Sequence, residues 1–349
     1  MQGELPAPAA ASMAPTRYWH RLEDGRVRCD LCPRACALRE GQRGFCFVRA
    51  CEEGAIVLTT YGRTSGIHVD PVEKKPLFHF LPGTAALSFG TVGCNLACRF
   101  CQNWDISRAR EMDVLAVPAS PEGLAAMARR LRCASVAFTY NDPVVFHEYA
   151  IDAARACRAL GIRTVAVTAG YVSPEPRAEF YRHMDAANVD LKAFSEGFYR
   201  KLAGGHLQPV LDTLVYLKRE TSVWLELTHL LIPGENGTEG ELRRMTEWVV
   251  DALGPDVPMH FTAFHPSWRM LDTPPTTLDA VRKARRIALR SGVRYAYTGN
   301  VWNPEGEATY CHGCGRVLVA RDGYAVRERR MSAKGCCLAC GLPCAGVFS

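Results

Sequence analysis

The chain has 349 residues, 48% of them apolar, and a formal net charge of +6. This length suits about two domains, or one barrel-sized domain with small additions, and the composition is that of a globular protein with a full core. The basic residues are scattered, and Glu328 interrupts their densest group at residues 327–330, so the charge pattern argues against a nucleic-acid or membrane surface. No apolar run approaches the length of a membrane span.

Cysteine is unusually frequent, with 16 residues, most of them in clusters over residues 29–51, 94–101 and 311–344. Such tight spacing is typical of metal ligands, whereas a disulfide framework is expected in short secreted chains. Residues 1–15 lack the basic start and apolar centre of a signal peptide. We therefore expect a cytoplasmic protein, in which the glycosylation sequon at Asn236 is coincidental.

The N-terminal part is predicted as a disordered tail over residues 1–16 and a Cys-rich module over residues 17–84. Cys29, Cys32, Cys36 and Cys46 lie close together and are interspersed with glycines, so they could bind one zinc ion or one iron–sulfur cluster. Their spacing does not decide between the two. Unligated cysteines are the weaker alternative, because the module has few apolar residues to hold it together. A strand is predicted over residues 55–61, and an extended segment across the barrel over residues 68–79.

The next predicted strand, residues 86–92, leads into a loop that we call the cluster loop (residues 93–101). It carries Cys94, Cys98 and Cys101 in a C-x3-C-x2-C pattern. Three thiolates at this spacing can each bind one iron of a [4Fe–4S] cluster and leave the fourth iron open. An open position is typical of a catalytic metal, whereas electron carriers and structural zinc sites fill all four. A zinc loop or three buried thiols are the alternatives.

Strands and helices then alternate to residue 298. The predicted strands are 135–139, 163–168, 187–191, 224–232, 259–264 and 293–298, and the predicted helices are 143–160, 175–184, 207–218, 238–253 and 276–290. This alternation implies a parallel sheet with crossover helices. Six or seven units are too few for a closed eight-stranded barrel. The predicted fold class is therefore α/β, an open, partial TIM-like barrel over residues 85–305 with small Cys-rich modules at both ends. Cys133 and Cys157 are expected in its core.

Polar residues follow most of the predicted strands, at the edge where barrels of this type place their active sites. A helix cap or an ordinary loop residue is the alternative for each, and a buried salt bridge with Asp190 is the alternative for Lys192. The candidates for a binding site are Asn141, Asp142, Thr168, Asp190, Lys192 and His265.

The C-terminal module, residues 306–349, contains two C-x2-C-Gly knuckles formed by Cys311, Cys314, Cys337 and Cys340. Paired knuckles predict a zinc ribbon, although a cluster is the alternative, and the glycine after each pair lets backbone amides turn toward the thiolates. His312 is not expected to be a ligand. Cys336 and Cys344 leave open a shifted ligand set or a second cluster.

The cluster loop, with Phe100 just before its last cysteine, resembles the signature of radical S-adenosylmethionine (SAM) enzymes. This resemblance implies that the open iron binds SAM and that reduction yields a 5′-deoxyadenosyl radical. It also implies SAM contacts from Phe100 and from the candidates at the strand ends. The family's Gly-Gly-Glu-Pro-like turn, which holds the SAM amine, reads Tyr-Asn-Asp-Pro at residues 140–143, so Asn141 and Asp142 are expected there.

Residues 25–345 are similar to the AmmeMemoRadiSam-system radical SAM enzymes, which are related to pyruvate formate-lyase activating enzymes. The similarity rests on the N-terminal C-x2-C-P-x2-C module, on the C-terminal knuckles, and on residues 140–143, 190–192, 232–234 and 264–266. It implies AMMECR-domain and Memo-like partner proteins.

Our main hypothesis is an enzyme that receives electrons from an external donor and abstracts hydrogen from an unidentified substrate. One alternative is an activase that installs a glycyl radical on a partner polypeptide. Another, of a different class, is a zinc-module adaptor that binds nucleic acid or protein.

Overall fold

A computed structural model describes residues 13–109 and 117–349. Most of the predicted tail, residues 1–12, lies outside the described residues. Ala14 and Pro15, the last part of that tail, form a short strand paired with Val57 and Leu58. The ordered N-terminal module therefore begins before residue 17.

Short strands build both terminal modules, and longer strands build the centre. The strands are β1 (Ala14–Pro15), β2 (Trp19–Arg21), β3 (Val27–Cys29), β4 (Ala37–Leu38), β5 (Arg49–Glu52), β6 (Ala55–Leu58), β7 (Arg63–Thr64), β8 (Gly66–Pro71), β9 (Ala85–Gly90), β10 (Val117–Pro118), β11 (Ser135–Phe138), β12 (Arg163–Thr168), β13 (Ala186–Asp190), β14 (Trp224–Leu231), β15 (Met259–Ala263), β16 (Ala296–Gly299), β17 (Thr309–Tyr310), β18 (Val317–Asp322) and β19 (Ala325–Arg329).

The helices lie mainly between the central strands. They are α1 (Trp104–Ser107), α2 (Pro121–Arg130), α3 (His147–Ala159), α4 (Pro174–Tyr181), α5 (Glu196–Phe198), α6 (Gln208–Glu220), α7 (Glu239–Leu253), α8 (Leu278–Arg290) and α9 (Pro304–Glu307). Short 3₁₀ turns occupy Val72–Lys74 and Pro143–Phe146, and a π turn occupies Tyr199–Ala203.

The central sheet has eight strands in the order β16-β15-β14-β13-β12-β11-β9-β8. Within this sheet, β9 and β11 to β16 run parallel to one another. The crossovers that parallel pairing requires are provided by α2, α3, α4, α6, α7 and α8. In the described part of the chain β16 and β8 are the two edges and do not pair with each other, so the barrel is open. The α/β sheet predicted from the alternation is thus present.

Local sequence explains where the crossover helices begin and which face they bury. The side chains of Ser120, Thr238 and Thr277 each accept a backbone N–H of the first turn, as good N-caps do. Along α8, Val281, Ala284 and Ala288 are buried at helical spacing. Cys133 and Cys157 are also buried, as predicted for core residues.

The segment before β9 departs from the prediction. Residues 66–71, which the sequence places in the N-terminal module, form β8 and pair antiparallel with β9 from Gly66 opposite Gly90 to Pro71 opposite Ala85. The boundary predicted at residue 84 therefore divides the central sheet. The crossing predicted for residues 68–79 begins after β8 and reaches β14, where the backbone N–H groups of Phe78 and His79 donate to Glu226 at 3.0 and 2.8 Å.

Both terminal modules share apolar contacts with the barrel. Val27, Val48 and Ile56 of the N-terminal module belong to the same buried cluster as the barrel strands. The C-terminal module packs Leu318 and Val319 of β18 against residues that include Phe78, Tyr295 and Tyr297. Among the described residues, no helix has the length and apolarity that crossing a bilayer requires.

Candidate metal and cofactor site

The cluster loop follows β9 at the carboxyl edge of the parallel strands, where the alternation predicted a site. It is held from one side by the π turn, because the N–H groups of Ala97 and Arg99 donate to the carbonyls of Ala203 and Leu202, both at 2.8 Å. The Leu96 N–H points to the Cys94 sulfur at 3.5 Å. The loop backbone is thus fixed while Cys94, Cys98 and Cys101 remain partly exposed.

Asn141 holds the loop from the opposite side. Its Oδ1 accepts the Thr91 N–H at 2.9 Å, and its Nδ2 donates to Thr91 Oγ1 and to the carbonyls of Val92 and Gly93 at 2.8–3.1 Å. A buried amide with both its atoms bonded in this way fixes the backbone that leads into Cys94. The SAM contact predicted for Asn141 stays a prediction, and the observed role is to position the loop.

Asp142 and Thr168 form a buried pair between the ends of β11 and β12. The Asp142 carboxylate accepts the N–H groups of Val144 and Ala169 at 3.0 and 2.8 Å and the Thr168 hydroxyl at 3.0 Å. Burial raises the pKa of Asp142, and these hydrogen bonds oppose that rise. Asp142 therefore caps the turn at Pro143–Phe146 and links two strand ends beside the loop.

Lys192 brings a positive charge to the cluster loop. Its Nζ donates to Asp190 at 2.7 Å and lies 5.9 Å from the centre of the buried Phe100 ring. Burial lowers the pKa of Lys192, but the charges of Asp190 and the Cys98 thiolate outweigh it and hold the pKa above its usual value. Both the salt bridge and the site role considered for Lys192 are therefore compatible with its position. His265 lies at the exposed rim, with Nε2 3.3 Å from the Asn300 carbonyl.

The three loop thiols suit a metal cluster chemically. Burial raises the pKa of Cys98 to about 11 and raises those of Cys94 and Cys101, while Lys192 opposes this at Cys98 and Cys101. Iron displaces such thiol protons, since thiolates are the ligating form. In the described part of the chain, the sulfurs of Cys94, Cys98 and Cys101 are not among the sets that lie within 4.8 Å of one another. These three sulfurs are therefore spaced more widely than the ligands of one small ion.

That convergent group is the C-terminal set, Cys311, Cys314, Cys337 and Cys340, whose sulfurs all lie within 4.8 Å. Sulfur–sulfur distances are 3.5 Å for Cys311–Cys340 and 3.7 Å for Cys314–Cys337. Gly315 and Gly341 adopt positive φ after each knuckle, as predicted. The set is a Cys-rich metal-binding site in which zinc and other metals are not distinguished.

Three neighbouring residues stand outside that set. His312 Nδ1 is hydrogen-bonded to the Tyr295 hydroxyl, and the backbone of Cys336 pairs with that of Pro343 in an isolated antiparallel β-bridge. The Cys344 sulfur lies 3.6 Å from His79 Nδ1.

The N-terminal cysteines line a cavity directly behind the cluster loop. Cys29, Cys32, Cys36 and Cys46 form one wall, and Arg34, Arg49, Asn95 and Val145 are among the others. Arg34 Nε donates to the Asn95 carbonyl at 2.8 Å, and Asn95 Nδ2 donates to the Tyr171 carbonyl at 2.7 Å. Sequence reasoning missed Arg34, Arg49 and Asn95, although a polar Asn next to Cys94 in an apolar loop was a usable signal.

Comparison with known proteins decides the family. The family model of the Radical SAM superfamily matches residues 89–248. The uncharacterized protein MJ0808 of Methanocaldococcus jannaschii is 38% identical over 309 residues, covering 88% of this chain and 92% of that protein. The chain belongs to the radical SAM superfamily. Membership implies an enzyme of the radical SAM class that uses a [4Fe–4S] cluster and SAM.

Two further similarities are more distant. The pyruvate formate-lyase-activating enzyme of Clostridium pasteurianum is 23% identical over 163 residues, which cover 44% of this chain and 64% of that enzyme. The crystal structure of a radical SAM methyltransferase from Sphaerobacter thermophilus matches with a TM-score of 0.50 at 15% identity, covering 63% of this chain and 67% of that one. The structural match supports the fold and carries no statement about the reaction.

Proposed function

We propose that Cys94, Cys98 and Cys101 bind a [4Fe–4S] cluster and that this radical SAM enzyme abstracts hydrogen from a substrate at the barrel mouth. When bound, the cluster supplies the electron that cleaves SAM to methionine and a 5′-deoxyadenosyl radical. The observation that carries the proposal is the position of three cysteines, none of them fully buried as a residue, on one anchored loop at the carboxyl edge of the parallel strands.

The surrounding residues divide into those that position the loop and those left available to SAM. Asn141 donates its hydrogen bonds to the loop backbone. The Asp142 carboxylate accepts the Thr168 hydroxyl and the Ala169 N–H. Asp190 and Lys192 are paired, yet Asp190 is 36% exposed. We therefore assign polar contacts with SAM first to Asp190, Lys192 and His265, with Phe100 as the apolar floor. A direct contact of Asn141, Asp142 or Thr168 requires an exchange of partners.

The test is SAM cleavage by the full chain, reconstituted without oxygen and reduced with dithionite. We expect 5′-deoxyadenosine and methionine from the wild type and neither from Cys98→Ala. Cys133→Ala is the matched control, because Cys133 is a buried cysteine distant in sequence from every proposed ligand. Intact SAM with an iron-loaded wild type would overturn the proposal.

A second candidate function is activation of a partner polypeptide by formation of a glycyl radical. It is favoured by the similarity to the activating enzyme of Clostridium pasteurianum. The two candidates differ in the fate of the radical. An activase should transfer deuterium from a glycine-deuterated partner into 5′-deoxyadenosine and leave an electron paramagnetic resonance (EPR) signal on that polypeptide. A small-molecule enzyme should label 5′-deoxyadenosine from a low-molecular-weight fraction instead.

We also propose the narrower assignment to AmmeMemoRadiSam-system enzymes, with AMMECR-domain and Memo-like proteins as partners. The combined N-terminal and C-terminal cysteine patterns support it. Purified candidate partners should bind the reconstituted chain in calorimetry, and absence of binding in the presence of SAM would remove the assignment.

A further inference from the structure

The N-terminal cavity has the lining of a metal-cofactor site. Four cysteines line it together with Arg49 and Asn95. The Phe45 N–H points to the Cys36 sulfur at 3.5 Å. Amides directed at thiolate sulfurs are a regular feature of iron–sulfur sites.

The C-terminal module provides an internal comparison. Its four sulfurs converge within 4.8 Å, which suits a single tetrahedral ion with metal–sulfur bonds of about 2.3 Å. The four N-terminal cysteines are not among the convergent sets of the described chain and surround a cavity instead. A single tetrahedral ion would require these sulfurs to move closer together, whereas a four-iron cubane presents a separate iron to each thiolate and suits a wider spacing.

Two buried polar atoms in the cavity wall lack hydrogen-bond partners. Arg49 is 1% exposed, and its Nη1 is unpaired although its other nitrogens bond to Glu148 and to the Val145 carbonyl. Asn95 is equally buried, and its Oδ1 is unpaired. An unsatisfied buried donor is costly, and a sulfur acceptor in the cavity would satisfy the Arg49 N–H.

The cavity adjoins the cluster loop through backbone contacts. A Cβ at Gly93 would overlap the Cys46 carbonyl oxygen and lie 2.9 Å from Val48 Cγ1, so Gly93 and Cys46 are packed directly against each other. Arg34 reaches the carbonyls of Asn95 and Gly204. Gly93 directly precedes Cys94, so the N-terminal module contacts the residue next to a proposed ligand of the loop cluster.

We propose that Cys29, Cys32, Cys36 and Cys46 bind a second [4Fe–4S] cluster that delivers electrons to the cluster at Cys94, Cys98 and Cys101. Four protein ligands leave no iron open for a substrate, so the second cluster is an electron carrier. The relay role rests on the proposed function, whereas the presence of the cluster does not. In the relay, a low-potential one-electron donor reduces the N-terminal cluster, which returns to its oxidised state as it reduces the loop cluster. That electron then enters the C–S bond of SAM.

The first experiment counts iron, sulfide and zinc in the anaerobically reconstituted full chain. The wild type should hold about eight iron and eight sulfide, and the triple variant Cys94→Ala/Cys98→Ala/Cys101→Ala about four of each, with an EPR signal after reduction. Cys32→Ser/Cys36→Ser should also hold about four, and Cys133→Ala should keep the wild-type count. A triple variant without iron but with an additional zinc would overturn the proposal. Because this count needs no SAM cleavage, it stands apart from failure of the proposed function.

The second experiment follows the electron. Protein reduced by one equivalent is mixed with SAM and frozen at intervals, with the triple variant supplying the reference EPR signal of the N-terminal cluster. In the wild type this signal should decay in step with 5′-deoxyadenosine formation, and in the triple variant it should persist. A signal that persists in the wild type while 5′-deoxyadenosine accumulates would exclude the relay.

Discussion

Asn141 is the residue on which the geometry of the cluster loop depends most directly. It is 4% exposed, and its amide joins the end of β11 to three consecutive residues, 91–93, that lead into Cys94. Its contribution therefore lies in loop position as well as in stability. A change from amide to carboxylate tests both, since the two side chains have nearly the same shape.

Asn141→Asp should lower the free energy of unfolding by at least about 2 kcal/mol, because a carboxylate cannot donate to the carbonyls of Val92 and Gly93, and each unsatisfied buried group costs about 1–3 kcal/mol. It should also lower iron retention at Cys94, Cys98 and Cys101. The matched control is Asn103→Asp, where an exposed amide donates to the Tyr140 carbonyl at 2.8 Å and the loss should stay below about 1 kcal/mol. Urea unfolding of both variants measures their free energies of unfolding. Equal decreases in the two variants would contradict the role assigned to Asn141.

Lys192 is expected to act through its charge. Lys192→Met retains an unbranched apolar side chain but removes the cation near Phe100 and Cys98. The rate of SAM cleavage should fall by about 10–100-fold, as for other residues that support metal ligands. The reduction potential of the loop cluster should become more negative, which a purely structural role would not produce. Lys201→Met, an exposed lysine on the adjoining π turn, is the control. An unchanged potential would reduce Lys192 to a salt-bridge partner of Asp190.

His79 should make stability depend on pH. Burial lowers the pKa of His79 from 6.5 to about 4, and the neutral ring bonds to the Ala345 carbonyl and the Tyr297 hydroxyl at 2.6 and 2.5 Å. Between these values the unfolded chain binds a proton that the folded chain does not, so this stability is present above pH 6.5 and is lost as the pH falls toward 4. The loss amounts to about 3 kcal/mol.

The measurement is urea unfolding of the wild type and of His79→Gln between pH 7 and 4.5. The variant should be less stable at pH 7, and the difference from the wild type should shrink as the pH falls. Profiles that stay parallel would contradict the assigned origin of the pH dependence.

At the scale of elements, the parallel strands approach one another very closely beside the loop. A Cβ at Gly90, the last residue of β9, would overlap the Thr139 carbonyl oxygen and lie 2.8 Å from Asn141 Oδ1. This contact lets the ends of β9 and β11 meet and places Asn141 within reach of the loop. A side chain at residue 90 would separate them.

Gly90→Ala should therefore cost about 2–3 kcal/mol or more, as overpacking of a rigid backbone contact does, and should release iron from the loop. Gly240→Ala in the exposed first turn of α7 is the matched control and should stabilise the chain by about 0.5 kcal/mol. Thermal unfolding of the two variants should shift in opposite directions. A shift of the same sign and size would refute the close-contact argument.

The regular elements were predictable because their signals are local. Alternating apolar strands and amphipathic helices gave the parallel α/β core, and the spacing of cysteines gave the loop and the paired knuckles. β8 was missed because an edge strand has one solvent-facing side, and its sequence, with His68, Asp70 and Pro71, reads as an irregular polar segment.

The polar contacts around the loop were less accessible to prediction. Arg34 lies 61 residues before its partner Asn95 and 170 before Gly204, and only the docking of the N-terminal module on the barrel brings them together. Likewise, sequence placed Asn141 at a strand end but could not determine that its amide turns toward the loop backbone, since a strand end offers several orientations.

At the scale of the whole molecule, the two terminal modules differ in how they depend on metal. The C-terminal module packs a small apolar cluster against Phe78, Tyr295 and Tyr297, and the thiols of Cys314 and Cys340 are exposed. Its metal should therefore be accessible to chelators, whereas the barrel has its own, larger core.

Removal of that metal should loosen the C-terminal module while the barrel stays folded, because binding energy at a four-thiolate site is largely folding energy of the small module around it. Cys314→Ala/Cys340→Ala should lose one metal ion per chain and become cleavable by protease within residues 311–349. Mass spectrometry of the fragments, with Cys336→Ala as control, checks this. A protected module without metal would show that its apolar contacts suffice.

The walls of the N-terminal cavity come from distant parts of the chain, and this has a consequence for how the protein is made. Cys29 to Cys46 leave the ribosome well before Asn95 and Val145, which complete the cavity. During synthesis the four thiols are therefore present before the residues that complete the cavity around them. If these cysteines bind the proposed cluster, zinc that reaches the nascent segment first would occupy the same thiols, so we expect the metal content of the N-terminal site to depend on whether iron–sulfur delivery follows the closing of the barrel.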